Sequence, residues 1–190
     1  MKERIEIYDD LVPLSIQNSI ESLITSDNVT WSYKRNIVNS NDQNLPYIPG
    51  FSHSLINSNQ KNISDNFVWS CLQPLYSLTN HIELNIDKII RSRLFLQVPS
   101  NIDLRLDPHI DMDEPHLVCL YYINDSDGNT TFFNKNDVIK EVSPKKGRIV
   151  LFDGSIEHSA GIPKTSPRFI LNINFTTCDE AIPSTWISYK

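Results

Sequence analysis

The sequence predicts a mainly β protein of the α+β class, with helices from the first half packed on one sheet formed by the second half. From residue 89 onward, side chains alternate between two faces, as in Arg91–Val98, with the period of two that a strand requires. Before residue 89, apolar side chains recur at helical spacing. With 190 residues, 39% hydrophobic and 21% charged, the chain is expected to form one globular domain over residues 1–190.

Residues 1–88 are expected to be a helical and loop support for the sheet. Asp10 would cap a first helix that carries Pro13 in its first turn and ends near Thr25. A short strand at residues 30–33 and a polar loop at residues 34–50 follow, and a loop of this length is often a lid.

A second helix is expected from Ser64 to Ile82, because its apolar residues again recur at helical spacing. Pro74 lies inside this segment and cannot donate a backbone hydrogen bond. It should therefore kink the helix or divide it into two shorter ones.

The region 89–176 contains many short strand candidates separated by turn sequences, with residues 177–190 as a C-terminal tail. Evenly spaced short strands are typical of a jelly roll, the double-stranded β-helix of cupins. Beyond the strand that begins near residue 89, the candidates are His116–Ile123, Thr130–Phe133, Val138–Val142, Arg148–Phe152 and Arg168–Thr176.

Charge and cysteine content narrow the functional classes. A net charge of −6 argues against non-specific binding to nucleic acid, which needs a basic surface. Cys71, Cys119 and Cys178 are widely spaced and are expected to be free thiols in a reducing cytoplasm. The charged N-terminus does not resemble a signal peptide, and no apolar run is long enough to span a membrane.

His109 and Asp111 lie two residues apart in a β-rich region, so on a strand both side chains would point to one face and could share a metal. With His158 as third ligand they form a 2-His-1-carboxylate set, which suits Fe(II) and also accepts zinc, cobalt, nickel or manganese. A single His-x-Asp also arises by chance, as a surface hydrogen bond or a turn. Of the other histidines, His53 and His81 are interpreted as ordinary surface or core residues, and His116 more as structural than as a substrate contact.

The order of motifs around these ligands resembles the catalytic core of 2-oxoglutarate/Fe(II)-dependent oxygenases of the prolyl 4-hydroxylase-like type. That family shows HxD, YYLN, GGxTxF, PkxGxxxxF, a histidine and then an arginine or lysine. The corresponding segments here are His109–Asp111, Tyr121–Asn124, Asp127–Phe132, Pro144–Phe152, His158 and Arg168. The match covers residues 89–176, somewhat under half of the chain, and departs from the pattern where Asp127 replaces a glycine.

The resemblance implies that His109, Asp111 and His158 bind the iron and that Arg168 binds the distal carboxylate of 2-oxoglutarate. A guanidinium group suits the latter role because its planar fork matches a carboxylate.

The resemblance also implies three co-substrate contacts. Tyr122 would place a hydroxyl on the same carboxylate; the alternative is that it is a strand aromatic that packs in the core. Asn172, four residues after Arg168, would reach the co-substrate, or would only line a polar pocket together with Asn174, which has the same strand parity. Gln97 lies where some relatives carry a tyrosine, and Arg91 and Arg93 share its strand face, either at the substrate mouth or in solvent.

The implied activity is that of an oxidoreductase: a dioxygenase that hydroxylates a protein or peptide residue such as proline, or a small metabolite. It would require Fe(II), 2-oxoglutarate and O2, with ascorbate as an accessory reductant, and would release succinate and CO2. The alternatives are a non-catalytic jelly-roll module that binds metal or 2-oxoglutarate, a nucleic-acid oxygenase, and a cupin-like enzyme that does not use 2-oxoglutarate. Substrate determinants are expected in residues 34–61, residues 113–116 and the C-terminal tail.

Overall fold

The computed structural model describes residues 4–37, 48–57, 67–102, 106–135 and 137–178. These residues form two helices and ten strands. The helices are α1 (Leu14–Ile24) and α2 (Val68–His81). The strands are β1 (Ile5–Tyr8), β2 (Ser32–Lys34), β3 (Gly50–Ile56), β4 (Ile86–Gln97), β5 (Leu117–Tyr122), β6 (Thr130–Asn134), β7 (Asp137–Val142), β8 (Ile149–Asp153), β9 (Glu157–Ala160) and β10 (Arg168–Thr177).

The strands form two antiparallel sheets. The large sheet has the order β1-β8-β5-β10-β4-β3-β2, and the small sheet has the order β7-β6-β9. The chain passes repeatedly between the two sheets, which is the arrangement of a jelly roll. The predicted fold class is therefore confirmed, and all six strand candidates from residue 89 onward are present within one to three residues of their expected bounds.

The period of two divides the large sheet into two faces. On β10, Leu171 and Ile173 belong to the core that also contains the buried faces of α1 and α2. Their neighbour Ile170 belongs to a second core between the two sheets. The helices thus cover the outer face of the large sheet, as predicted, and the polar side chains of the inner face are directed toward the small sheet.

One prediction about the helices was wrong, and one of the two outcomes expected for Pro74 is excluded. Asp10 does not cap α1, because it has a left-handed backbone conformation (φ 63°) and lies outside the helix. Pro13 is instead the N-cap residue, and no side chain there bonds to the helix. Pro74 does not divide α2, which is one helix over 14 residues. Buried residues on both sides of Pro74, among them Cys71 and Leu75, pack in the same core, and this packing maintains the helix.

Three strands had no sequence prediction, among them β9, which pairs with β6 in the small sheet. β1 pairs with β8 at one edge of the large sheet, and β3 lies between β2 and β4. Most of the predicted loop at residues 34–50 lies outside the described residues, so a lid there stays a prediction, while Lys34 and Gly50 at its ends belong to strands. Neither described helix has the length and apolar character needed to cross a membrane.

Candidate metal centre

The three predicted metal ligands lie together at one end of the space between the sheets. One potential ligand atom each from His109, Asp111 and His158 lies within 4.8 Å of the other two. His109 is not on a regular strand, contrary to the prediction, but forms an isolated antiparallel bridge to His158 of β9. The two backbone hydrogen bonds of this bridge are both 3.0 Å long. This pairing brings together two ligands that are 49 positions apart in the chain.

The surroundings of His158 fix its ring orientation and keep the imidazole neutral, as metal binding requires. Its side chain is buried, and its Nδ1 lies 3.2 Å from the carbonyl oxygen of Ile156, which leaves Nε2 available as the ligand atom. The rings of Phe132 and Phe152 pack against the imidazole. Burial lowers the pKa of His158 to about 4, although the charge of Asp111 opposes this effect. The ring is therefore neutral at pH 7, as metal binding demands.

Asp111 is fixed by three donors. Its Oδ1 lies 2.7 Å from Nη2 of Arg91, and its Oδ2 accepts hydrogen bonds from the amides of Asn172 (3.0 Å) and Asn174 (2.9 Å). Burial alone would raise the pKa of Asp111, but nearby positive charge and the two amide bonds lower it below its usual value. The carboxylate is therefore ionised and oriented without a metal.

Arg91 uses all three of its nitrogens on this cluster. Nη2 forms the ion pair with Asp111, Nη1 donates to the backbone oxygen of Asp111 (3.3 Å), and Nε donates to Oδ1 of Asn174 (3.0 Å). The sequence left its position open between the substrate mouth and solvent, and the structure places it on a candidate ligand. Asn172, predicted at the co-substrate, also bonds to Asp111, while its buried Oδ1 has no partner among the described residues.

Arg168 begins β10 and is almost fully buried, with a relative exposure of 1%. Nη1 donates to Oε1 of Gln97 and Nη2 to Oγ1 of Thr130, both at 2.8 Å. The hydroxyl of Tyr122 donates to the same Thr130 oxygen at 2.7 Å, and the guanidinium carbon lies 5.6 Å from the centroid of the Tyr122 ring. Two of the residues that the resemblance assigned to the co-substrate, Arg168 and Tyr122, therefore bond to one threonine hydroxyl, and a third, Gln97, bonds to Arg168.

No described carboxylate neutralises Arg168, and its Nε has no hydrogen-bond partner in the described part of the chain. Burial lowers the pKa of Arg168, but an arginine side chain stays protonated in proteins. A buried cation without a counter-ion is costly unless an anion binds to it. This corner of the site is therefore prepared for an anionic ligand.

One cavity of about 350 Å³ joins the metal ligands to Arg168. Its volume is in the range of small-molecule sites. Apolar residues, among them Phe95, Leu120 and Ile170, form much of its wall, and Lys34, Asn36 and Asp107 add polar groups. A ligand in this cavity could contact the metal and the buried cation at the same time.

From the sequence, Thr130 had no assigned role, and Asn174 was expected only to line a polar pocket together with Asn172. Thr130 is the threonine of the GGxTxF-like segment, so the motif contained a signal for it. Asn174 has the same strand parity as Asn172, but only the fold shows that both amides bond to Asp111. The contact of both amides with Asp111 therefore depends on strand pairing between distant segments, which the local sequence does not show.

The other histidines lie outside the cluster. Nδ1 of His53 is 2.8 Å from the carbonyl oxygen of Thr30, and His81 packs against the ring of Tyr8. His116 is buried beside Gly154 and lines a second cavity of about 540 Å³ that contains none of the three candidate ligands. The three candidate ligands all line the cavity of about 350 Å³ instead.

No protein-family model matches the chain, and no curated protein does. Solved structures do match over most of its length. A Trichoplax adhaerens prolyl hydroxylase, in complex with a peptide of hypoxia-inducible factor, is 14% identical with a TM-score of 0.65, covering 92% of this chain and 84% of that one. A Pseudomonas putida prolyl-4-hydroxylase is 15% identical with a TM-score of 0.62 and 92% coverage of both chains.

A third match is an α-ketoglutarate-dependent epimerase of nogalamycin biosynthesis, SnoN, at 10% identity and a TM-score of 0.63, covering 92% of this chain and 79% of that one. The fold is thus the one found in 2-oxoglutarate/Fe(II) oxygenases, and the prolyl hydroxylases are among them. Because an epimerase shares it, the fold does not specify the reaction.

Proposed function

We propose that this protein is a 2-oxoglutarate- and Fe(II)-dependent dioxygenase that hydroxylates a protein or peptide residue such as proline, or a small metabolite. One observation carries the proposal. A single cavity has three potential metal ligands at one end and the buried, unneutralised Arg168 at the other. The resemblance in sequence and the shared fold support the same conclusion.

The donor set fits a ferrous ion. It offers two imidazoles and a carboxylate, the ligands of the facial triad of non-haem iron oxygenases. Asp111 is ionised and His158 is neutral, so neither has to lose a proton before the metal binds at pH 7. The same donors also accept Mn(II), which allows binding to be measured without turnover.

The opposite end of the cavity fits the distal carboxylate of 2-oxoglutarate. A guanidinium has five N–H groups, and only two of those of Arg168 have acceptors among the described residues. The Thr130 oxygen accepts bonds from Tyr122 and Arg168, which leaves its own proton free for an incoming carboxylate. Gln97, by accepting a bond from Nη1, holds the guanidinium in place.

When bound, iron and 2-oxoglutarate supply the oxidising chemistry, in which O2 is consumed and succinate and CO2 are released. The chain's own residues orient the reactants and exclude water. Arg91, Asn172 and Asn174 keep Asp111 ionised and in position. Phe132 and Phe152 form an apolar wall beside His158. No described side chain is required as a general acid or base.

The first test is anaerobic calorimetry with 2-oxoglutarate, in the presence and absence of Mn(II). We expect micromolar binding that depends on the metal, and a loss of affinity of about 30- to 1000-fold in Arg168→Gln, because a charged bidentate pair contributes roughly 2–4 kcal/mol. Lys88→Gln is the control, since it removes one positive charge from an exposed position of β4.

Three outcomes contradict the proposal. Absence of 2-oxoglutarate binding with Mn(II) would reject the co-substrate, and unchanged affinity in Arg168→Gln would reject the role of this arginine. Binding without succinate formation, in a substrate screen with Fe(II) and O2, would instead indicate a non-catalytic binding module.

A further inference from the structure

Arg93 differs from its neighbours on the inner face of β4. It is half-buried, and none of its N–H groups has a hydrogen-bond acceptor or a carboxylate partner within the described residues. Arg91, two residues earlier on the same face, uses every nitrogen on Asp111 and Asn174. Of these two inward-facing arginines, Arg91 therefore bonds through all of its nitrogens, whereas the N–H groups of Arg93 can still bind a ligand.

The strand register places Arg93 next to the metal centre. Its partner on β10 is Asn172, which bonds to Asp111, and its partner on β3 is Ser54. Directly paired residues on neighbouring strands have Cβ atoms about 4.5–5.5 Å apart. The long side chain of Arg93 therefore starts one strand away from a residue that positions a candidate metal ligand.

Small residues leave space beside Arg93. Gly50, Ser52 and Ser54 are the residues of β3 that pair with the inward positions of β4. Ser54 is exposed, so no bulky neighbour on this strand covers the guanidinium. The charge of Arg93 interacts with those of Arg91 and Asp111, so its guanidinium lies near this candidate metal ligand.

The charge balance favours an anion at this position. Burial and the charge of Arg91 lower the pKa of Arg93, and Asp111 only partly opposes them. After iron and 2-oxoglutarate bind, three arginines, Lys34 and a divalent metal are opposed by Asp111, Asp107 and a dianion, which leaves a net positive charge. This surplus of positive charge lies in a chain whose net charge is −6, and a substrate with a negative group would reduce it.

We propose that Arg93 binds a carboxylate of the primary substrate, which is either the α-carboxylate of an amino acid or the side-chain carboxylate of an acidic residue in a peptide. A guanidinium recognises either group through two parallel hydrogen bonds. This inference rests on the proposed function, because it places the carbon to be oxidised at the metal, a few bonds away from the carboxylate.

The test uses the full chain loaded with Mn(II) and 2-oxoglutarate under argon, with calorimetry as the readout. One arm compares N-acetyl amino acids with their amides, and the other compares capped tripeptides that have a central glutamate or glutamine. In one of these two comparisons, we expect the carboxylic acid to bind about 10- to 100-fold more tightly than its neutral counterpart, as a charged bidentate contact predicts. Arg93→Gln should remove this preference, and Arg93→Lys should retain part of it.

A control variant and a first titration with 2-oxoglutarate distinguish a failure of the proposed function from a failure of the role of Arg93. Lys88→Gln removes the same charge from an exposed position of β4 and should keep the full preference for acids. Arg93→Gln should unfold at the same temperature as the parent, because Arg93 has no described partner to lose. Failure of 2-oxoglutarate to bind in the first titration would reject the proposed function. Equal binding of acids and amides, no binding of any acid in either arm, or an acid preference that survives Arg93→Gln would overturn the role of Arg93.

Discussion

Asn174→Ala should weaken metal binding although Asn174 is not itself a candidate ligand. The substitution removes the 2.9 Å hydrogen bond to Oδ2 of Asp111 and also leaves Nε of Arg91 without its acceptor. Asp111 then keeps two of its three side-chain donors, and its ion pair with Arg91 is less well oriented.

The expected loss of metal affinity follows from this geometry. Removing a group that orients a metal ligand typically costs 10- to 100-fold in affinity, which corresponds to about 1.4–2.8 kcal/mol. Loss of the ligand itself, in Asp111→Ala, should exceed this range. The intermediate value distinguishes an orienting residue from a ligand.

The assay is anaerobic titration with Mn(II), followed by calorimetry. Thr176→Ala is a suitable control, because Thr176 lies two residues further along β10 and bonds to exposed Asp87 instead of the metal cluster. Thermal unfolding without metal shows whether each variant is folded. If Asn174→Ala remains folded and binds Mn(II) as tightly as the control, Asn174 does not support metal binding by orienting Asp111.

Three further predictions concern pH, packing and metal removal. In metal-free protein, the pKa of His158 is about 4 against an ordinary value near 6.5, so the unfolded chain binds the proton first as pH falls. Stability should therefore be complete above pH 6.5 and decrease by about 3 kcal/mol by pH 4, a decrease that urea unfolding should show and that His158→Gln should lack. Gly154→Ala should destabilise the fold by about 1–3 kcal/mol, because a Cβ there would lie 2.2 Å from Nε2 of His116. In thermal unfolding, the double variant Gly154→Ala/His116→Ala should recover much of this loss. If the losses of the two single substitutions instead add up in the double variant, the clash with His116 is not the cause. Removal of metal by EDTA should abolish 2-oxoglutarate binding and added Mn(II) should restore it in calorimetry, whereas equally tight binding without metal would show that Arg168 alone holds the ligand.

The sequence predicts local patterns well and long-range pairing poorly. Six of the seven strands from β4 onward followed from alternation and turn sequences, while β9 was not predicted. The candidate ligands followed from the spacing of His109, Asp111 and His158 together with the family motifs. The bridge between His109 and His158 did not follow, because it depends on pairing between distant segments. The continuity of α2 through Pro74 could not be predicted for a related reason, since it depends on packing that a propensity does not contain.

The fold and the candidate site depend on the same alternation of side chains. Inward positions of β10 pair with inward positions of β4, so that Arg168 lies opposite Gln97, Asn172 opposite Arg93 and Asn174 opposite Arg91. The residues between them, such as Leu171 and Ile173, face the helices. A shift of one residue in this register would bury the arginines and asparagines under the helices and would direct leucine and isoleucine into the cavity. The hydrophobic contacts with α1 and α2 therefore fix the register, and the register places each polar group at the metal centre. Substitutions in the helix-facing core should for this reason weaken metal binding only when they also destabilise the sheet.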